Sequence, residues 1–205
     1  LRQVLSQIGI IHGHFEGTTR DELMDAIELL LTRQSDSNLS FPGPNPAQLE
    51  IIKKAALKVP DHGGLTPFRF ITVEEKGREK LGEIYYQAAV KEQQEQRIID
   101  RARQLPERAP MLIIAISPYQ EHPKVPRIEQ IQSAGCSVLA MQQAAFSQGL
   151  SGVWRTGYFA QSPEVKKQLG LDEKDEIVGY LYLGTPTVQC TKPIRHKPED
   201  FFSSL

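Results

Sequence analysis

Apolar positions along this chain recur either three to four residues apart or two apart, and the switches between these intervals mark its elements. In "TTRDELMDAIELLLTRQS", Leu23, Ile27, Leu30 and Leu31 fall on one helical face, and Thr19 with Glu22 three residues on makes a capping box. After the proline-rich connector "FPGPNPAQ", Asn45 suits a helix cap, Pro46 the first helical position and Gln48 the reciprocal bond. Leu49, Ile52 and Ala56 supply the buried face of that helix. Val59-Pro60 ends it, because a residue before proline is pushed out of α geometry. "FRFITVEE" alternates apolar and polar residues and predicts a strand.

From Gly77 to about Arg103 the chain is strongly polar with few breakers, which predicts a long exposed helix or a helix pair with a solvated charged face. "APMLIIAIS" is a short apolar run held between prolines, as a buried strand requires. "YQEHPKVP" reads as a loop. Residues 127–148 form the strongest helix, with Ile128, Ile131, Val138, Met141 and Ala145 on a common side and Gly149 as its stop. "LSGVWRTGYF" is a short strand running into a turn, Ser162-Pro163 opens a short helix closed by Gly170, and "EIVGYLYLGTP" is a final strand. Helices come first and strands separated by helices follow, so the expectation is an α+β or α/β domain around one sheet. A start at Met24 is an alternative that would make residues 1–23 an extension and residues 24–205 the domain.

Composition narrows the function classes. The 24 basic residues nearly balance 25 acidic ones, a net charge of -1 that argues against a broad nucleic-acid footprint. No apolar run approaches the roughly 20 residues a membrane span needs, and the N-terminal segment lacks a signal-peptide pattern. Cys136 and Cys190 are far apart, with Cys136 read as a small core residue. A disulfide framework is not expected, and a reducing cytoplasm is. His12 and His14 have no further ligand nearby and read as solvent-facing residues rather than a metal site.

The phosphate loop, the zinc-protease helix, the nucleophile elbow and the dinucleotide fingerprint are all missing. Three stretches remain. In "TRQS", Arg33 suits a helix C-terminus, yet a guanidinium with the Ser35 hydroxyl also suits phosphate oxygens. In "KVPDHGG", Gly63 and Gly64 fit a turn held by Asp61, or a place where backbone nears a flat ligand with His62 over it. In "VWRTG", Trp154 reads as a core or interface anchor, and Arg155 with Thr156 as a further anion contact. Phosphate plus an aromatic ring system fits the three together.

In order and spacing, "MDAIELLLTRQS", "VPDHGGLTPFRF", "HPKVPRIEQ", "SAGCSVLAMQQAAFSQGLSGVWRTG" and "IVGYLYLGTP" resemble the small FMN-dependent nitroreductases, and among them the compact YdjA-type branch. The resemblance runs from about Met24 to Pro186. It implies an α+β fold with a central, mostly antiparallel sheet flanked by helices, in a homodimer with FMN at the interface. It also implies FMN contacts from Arg33, Gln34 and Ser35, from Trp154, Arg155 and Thr156, and from Lys58 and His62 of the other subunit. Ala144, Ala145, Phe146, Ser147, Gln148 and Gly149 correspond to the stretch that meets NADH or NADPH.

The activity so implied is hydride transfer from NAD(P)H through FMN to a nitroaromatic, quinone or similar conjugated acceptor, by a ping-pong route with no protein nucleophile. Arg33 and Lys58 would supply positive charge near the ring. The branch usually carries arginine where Gln34 and Lys58 stand, and serine where Thr156 stands. Glutamine keeps a donor without charge, and lysine keeps charge without the bidentate fork, so weaker binding or a shifted potential is expected. Those departures leave a second reading open, a flavin-binding protein with sensory, storage or sequestering duty and little turnover.

Overall fold

The computed structural model describes residues 24–188 and 192–205. The expectations for Thr19, Glu22, Leu23, His12, His14 and Cys190 lie outside the described residues. In chain order the elements are α1 (Ala26–Thr32), β1 (Leu39–Ser40), α2 (Pro46–Ala56), β2 (Arg69–Glu74), α3 (Lys76–Lys91), α4 (Gln96–Ala102) and β3 (Met111–Ser117). They continue with α5 (Arg127–Phe146), β4 (Ser151–Arg155), α6 (Tyr158–Gln161), α7 (Pro163–Gln168) and β5 (Glu176–Pro186).

The sheet is antiparallel at each pairing. β3 lies between β2 and β5, and β5 also pairs with β1 and β4. Every residue of β3 is buried, because the sheet is covered on both sides. Leu112, Ile114 and Ile116 pack with Tyr85, Phe159 and Tyr180 on one face. Ile113 and Ala115 pack with Ile52, Val138, Met141, Leu181 and Leu183 on the other. A strand buried on both faces must be continuously apolar, which is what "MLIIAI" supplies. The α+β class and the antiparallel sheet follow the sequence expectation.

The reciprocal cap of α2 forms as its residues demand: the Gln48 amide donates to Asn45 Oδ1 at 2.9 Å, and the Asn45 amide to Gln48 Oε1 at 3.0 Å. Past the end of α5, Gly149, with φ of +79°, reverses the chain while the Leu150 amide donates back to the Ala145 carbonyl at 3.1 Å.

Four expectations change. The polar stretch after Gly77 is indeed a helix pair, but its solvated face is only half of it: Leu81, Tyr85, Ala88, Ala89 and Ala102 are buried under the sheet. α3 and α4 approach so closely that a Cβ on Gly82 would sit 2.5 Å from the Arg103 carbonyl oxygen. The inward face of α5 carries Val138, Met141 and Ala145 as expected, but Ile128 is exposed. Polar Gln130, Ser133, Ser137 and Gln142 are buried there instead, because adjoining loops, the end of α2 and β4 present carbonyls that need donors.

Cys136 is exposed on the outer side of α5 and is not part of the core. α1, capped by the Asp25 carboxylate, buries none of its residues: Ile27, Leu30 and Leu31 are 62%, 61% and 59% exposed. Among the described residues, none covers the apolar face that its periodicity creates.

Candidate cofactor site

α1 delivers its C-terminal residues to the start of β4. Past Thr32 the backbone leaves helical geometry at Arg33, whose amide still donates to the Leu29 carbonyl. The Asp36 amide then donates to the Gly152 carbonyl at 3.1 Å. Gln142 of α5 closes this junction, its side-chain amide donating to Gly152 O at 2.8 Å and to Ser35 Oγ at 3.2 Å. The segment after β5 returns to the same place. The Lys192 amide donates to Gln34 Oε1 at 2.8 Å, and Lys192 Nζ to the Ser35 carbonyl at 3.0 Å. The Lys192 ammonium is thus brought to the Ser35 backbone, two residues past Arg33, and Arg33 forms no ion pair among the described residues.

Gln142 belongs to a stripe of α5 with Gly135 and Leu139, spaced so that all three share a face. Trp154 lies along the same stripe, its ring 3.3 Å from where a Cβ on Gly135 would be. The indole N–H donates to the Val178 carbonyl at 3.1 Å, and the ring crosses β5 at Gly179, where an added Cβ would come within 2.2 Å of Nε1. Trp154 is 38% exposed and floors a groove of about 890 Å³ whose walls include Cys136, Leu139 and Thr156. Arg155, the next residue, turns to the other side of β4 as strand alternation requires, with its guanidinium 6.0 Å from the Tyr182 ring centre. Burial raises the Tyr182 hydroxyl to about 12, while Arg155 and Arg108 draw it back down.

The Pro-Asp-His loop is built as a turn. Asp61 accepts the Leu65 amide at 3.0 Å through Oδ1 and the Thr66 amide at 2.8 Å through Oδ2. Gly63 and Gly64 have φ of +75° and +66°, which side-chain-bearing residues rarely adopt. Ser133 of α5 holds the loop by donating to the Pro60 carbonyl at 2.5 Å, and His62 Nδ1 lies 2.6 Å from Glu129 Oε2. Lys58 is exposed at the end of α2.

No hydrogen bond or ion pair among the described residues joins Lys58 or His62 to Arg33–Ser35 or to Trp154–Thr156. Their anchor on α5, Ser133, is nine residues from Gln142, about 13 Å along the axis at 1.5 Å per residue. In one chain, therefore, "TRQS" and Trp154 share a seam, while the loop residues stand apart.

The stretch from Ala144 to Gly149 is the C-terminal turn of α5 and its stop. Ala145 is wholly buried. Ser147 donates to the Ala144 carbonyl at 3.1 Å, and Gln148 to the same carbonyl at 2.8 Å. Phe146 and Gly149 line a cavity of about 430 Å³ together with Gln34 and Ser151.

Three members of the seam escaped the sequence reading. Lys192 lies in "TKPIRHKP", where a basic run following the last strand was the available signal. Gln142 is a polar residue inside an apolar stripe. Gly179 is a glycine within a strand, a mark of close approach by another group. Among the described residues, no cluster of histidine, cysteine and carboxylates could hold a metal, and no helix is long and apolar enough to cross a membrane.

Comparison with known proteins places this geometry. The model of the nitroreductase family matches residues 30–185. YdjA of Escherichia coli (strain K12), whose name sets it with the NAD(P)H nitroreductases, is 44% identical over 171 residues, covering 83% of this chain and 93% of its own. A relative so named in Haemophilus influenzae (strain ATCC 51907 / DSM 11121 / KW20 / Rd) is 37% identical over 173 residues, covering 84% of this chain and 94% of its own.

Among solved structures, a nitroreductase-like protein of Bacillus cereus has a TM-score of 0.78 at 19% identity, covering 92% of this chain and 98% of its own. The NADPH:FMN oxidoreductase of Vibrio harveyi, complexed with NAD+, has a TM-score of 0.68 at 20% identity, covering 87% and 76%. The family match runs from the last turn of α1 through β4, the two elements that form the seam, and the chain belongs to the nitroreductase family.

Proposed function

We propose that this protein is an NAD(P)H-dependent FMN oxidoreductase acting on nitroaromatic, quinone or similar conjugated acceptors, with residues 24–205 as its flavin-binding domain. The observation that carries this reading is the corner where Lys192 bonds Ser35, two residues past Arg33, at the seam running to Trp154. Two cationic side chains and a hydroxyl are the donor set that a phosphate monoester needs. A groove floored by one large aromatic ring suits a flat ring system. The residues present therefore fit FMN.

Bound FMN would supply the redox chemistry, accepting hydride from NADH or NADPH and passing electrons to the second substrate. Arg33, Ser35 and Lys192 would hold the phosphate, with Gln34 contributing an amide in place of a charge. Trp154 and Thr156 would bound the ring from β4, while the expected contact from Arg155 is not favoured, because its side chain turns to the opposite face. Lys58 and His62 stand apart from that seam in their own chain, so their part is taken across a homodimer interface, where a second copy offers its Pro-Asp-His loop. The uncovered Ile27, Leu30 and Leu31 of α1 support such an interface. Phe146 and Gly149, beside Gln34, are the members of the Ala144–Gly149 stretch open to a nicotinamide nucleotide. The exposed free thiol of Cys136 is in keeping with a cytoplasmic setting.

The test is spectroscopic. The purified chain should be yellow, release FMN on denaturation, and bleach rapidly on anaerobic mixing with NADH or NADPH. Binding without bleaching by either nucleotide favours the sensory or storage reading. A colourless protein that takes up no added FMN overturns both.

A further inference from the structure

A second cavity, of about 460 Å³, opens on the Arg155 side of β4. Four arginines line it, Arg97, Arg101, Arg108 and Arg155, and no carboxylate does. None of the four forms an ion pair among the described residues. Arg97 and Arg101 are four apart on α4 and share a face, Arg108 follows in the next turn, and Arg155 reaches in from β4. In a chain of net charge -1, four uncompensated guanidinium groups around one concavity form a local positive field that a bound anion would relieve.

The rest of the wall is aromatic. Tyr85 is 1% exposed, and its hydroxyl lies against that of Tyr180. Its neighbour Tyr180 already donates to the Phe159 carbonyl at 2.9 Å. Thr156 lines both this cavity and the Trp154 groove.

We propose that the cavity binds the anionic end of a small aromatic acceptor, a carboxylate or comparable oxyanion on a ring, held by the Arg97, Arg101 and Arg108 guanidinium groups. Its role as an acceptor site rests on the oxidoreductase reading; its selectivity for aromatic anions does not. The volume suits one or two rings, and the guanidinium fork matches the two oxygens of a carboxylate.

Calorimetry on the purified full chain, with 4-nitrobenzoate and the neutral 4-nitrobenzyl alcohol as probes, tests it. The carboxylate should bind about tenfold or more tightly than the alcohol, as charge-assisted hydrogen bonds require, and the margin should shrink with added salt. R97A/R101A should abolish that margin without changing affinity for the alcohol, and R97K/R101K should restore part of it. Both substituted positions carry exposed side chains, so folding is not at stake. Equal affinity for both probes in the native chain, or an unchanged margin in R97A/R101A, overturns the proposal. Parallel assays with NADH and NADPH separate the two readings. Arginine-dependent binding with no flavin bleaching keeps the anion site and removes the oxidoreductase. Equal binding and equal KM for both probes keeps the oxidoreductase and removes the anion site.

Discussion

Gln142 and Ser35 are 107 positions apart in the chain, yet the Gln142 side-chain amide donates to the Ser35 hydroxyl at 3.2 Å from a buried position on α5. The same amide holds the Gly152 carbonyl at 2.8 Å, so one side chain fixes the end of α1 against β4. The phosphate-binding end of the proposed site and its aromatic floor are thereby set in register by a residue that is expected to touch neither the phosphate nor the ring.

Gln142→Leu should loosen that junction. Gly152 O keeps the Asp36 amide as a donor, so the stability cost is expected near the low end for a lost buried hydrogen bond, about 1 kcal/mol. FMN affinity should fall several-fold more than stability alone accounts for, because the Ser35 hydroxyl is no longer oriented. Urea unfolding and fluorescence titration of FMN measure the two effects. Unaltered FMN affinity would remove Gln142 from the account.

Gly179→Ala should displace Trp154. The added methyl would meet the indole nitrogen at 2.2 Å and the Arg155 carbonyl at 2.7 Å, both closer than real contacts allow. An overpacking cost of roughly 1–3 kcal/mol is expected, together with a changed near-ultraviolet circular dichroism signal from the single tryptophan. A thermal midpoint and spectrum matching the native protein would show that β5 yields there without moving Trp154.

Glu92, just after α3, ties that helix to the turn between α6 and α7. It accepts hydrogen bonds from the Tyr158 and Ser162 hydroxyls and from the Glu164 amide. Burial pushes its carboxyl pKa up, but these three donors outweigh burial and leave it below the ordinary value of 4.5. A carboxylate lowered by folding contributes stability that is complete above its unfolded pKa and is lost as pH falls through the lower folded value. Glu92→Gln should therefore be less stable than the native chain at pH 7, by about 1 kcal/mol, with the gap closing below pH 4.5. A gap that stays constant from pH 7 to pH 3 would contradict the assignment.

Some of this architecture is legible in the residues and some is not, for identifiable reasons. β3 could be placed because burial on both faces leaves no polar position in "MLIIAI". The Asn45–Gln48 cap and the Asp61 turn are local, each completed within five residues. The fate of the α1 face is not local: periodicity shows that Ile27, Leu30 and Leu31 share a side, but says nothing of what covers it. Polar residues inside α5 were equally opaque, since a glutamine that faces water and one that satisfies a distant loop look alike in sequence. In sequence Trp154 and Arg155 read as one cluster, although the two-residue period of a strand sends neighbours to opposite faces. Lys192 joins Arg33 and Ser35 only through the return of the chain after β5, which no spacing rule anticipates.

The α1 face makes the last prediction. If Ile27, Leu30 and Leu31 are covered by a second copy that also offers Lys58 and His62, assembly and cofactor binding must fail together. Leu30→Lys with Leu31→Lys places two charges on that face while leaving the core of one chain untouched, since both residues are about 60% exposed there. The variant should keep native helicity by circular dichroism, sediment as a monomer and bind FMN at least tenfold more weakly than the native dimer, since it loses the contacts from Lys58 and His62, each worth roughly 1.5–3 kcal/mol if charge-assisted. His62→Ala should weaken FMN binding in a protein that still sediments as a dimer. Sedimentation velocity and FMN titration on the same samples decide the matter. A folded monomer with undiminished FMN affinity would show that one chain holds the cofactor alone, and that the loop histidine serves only its bond to Glu129.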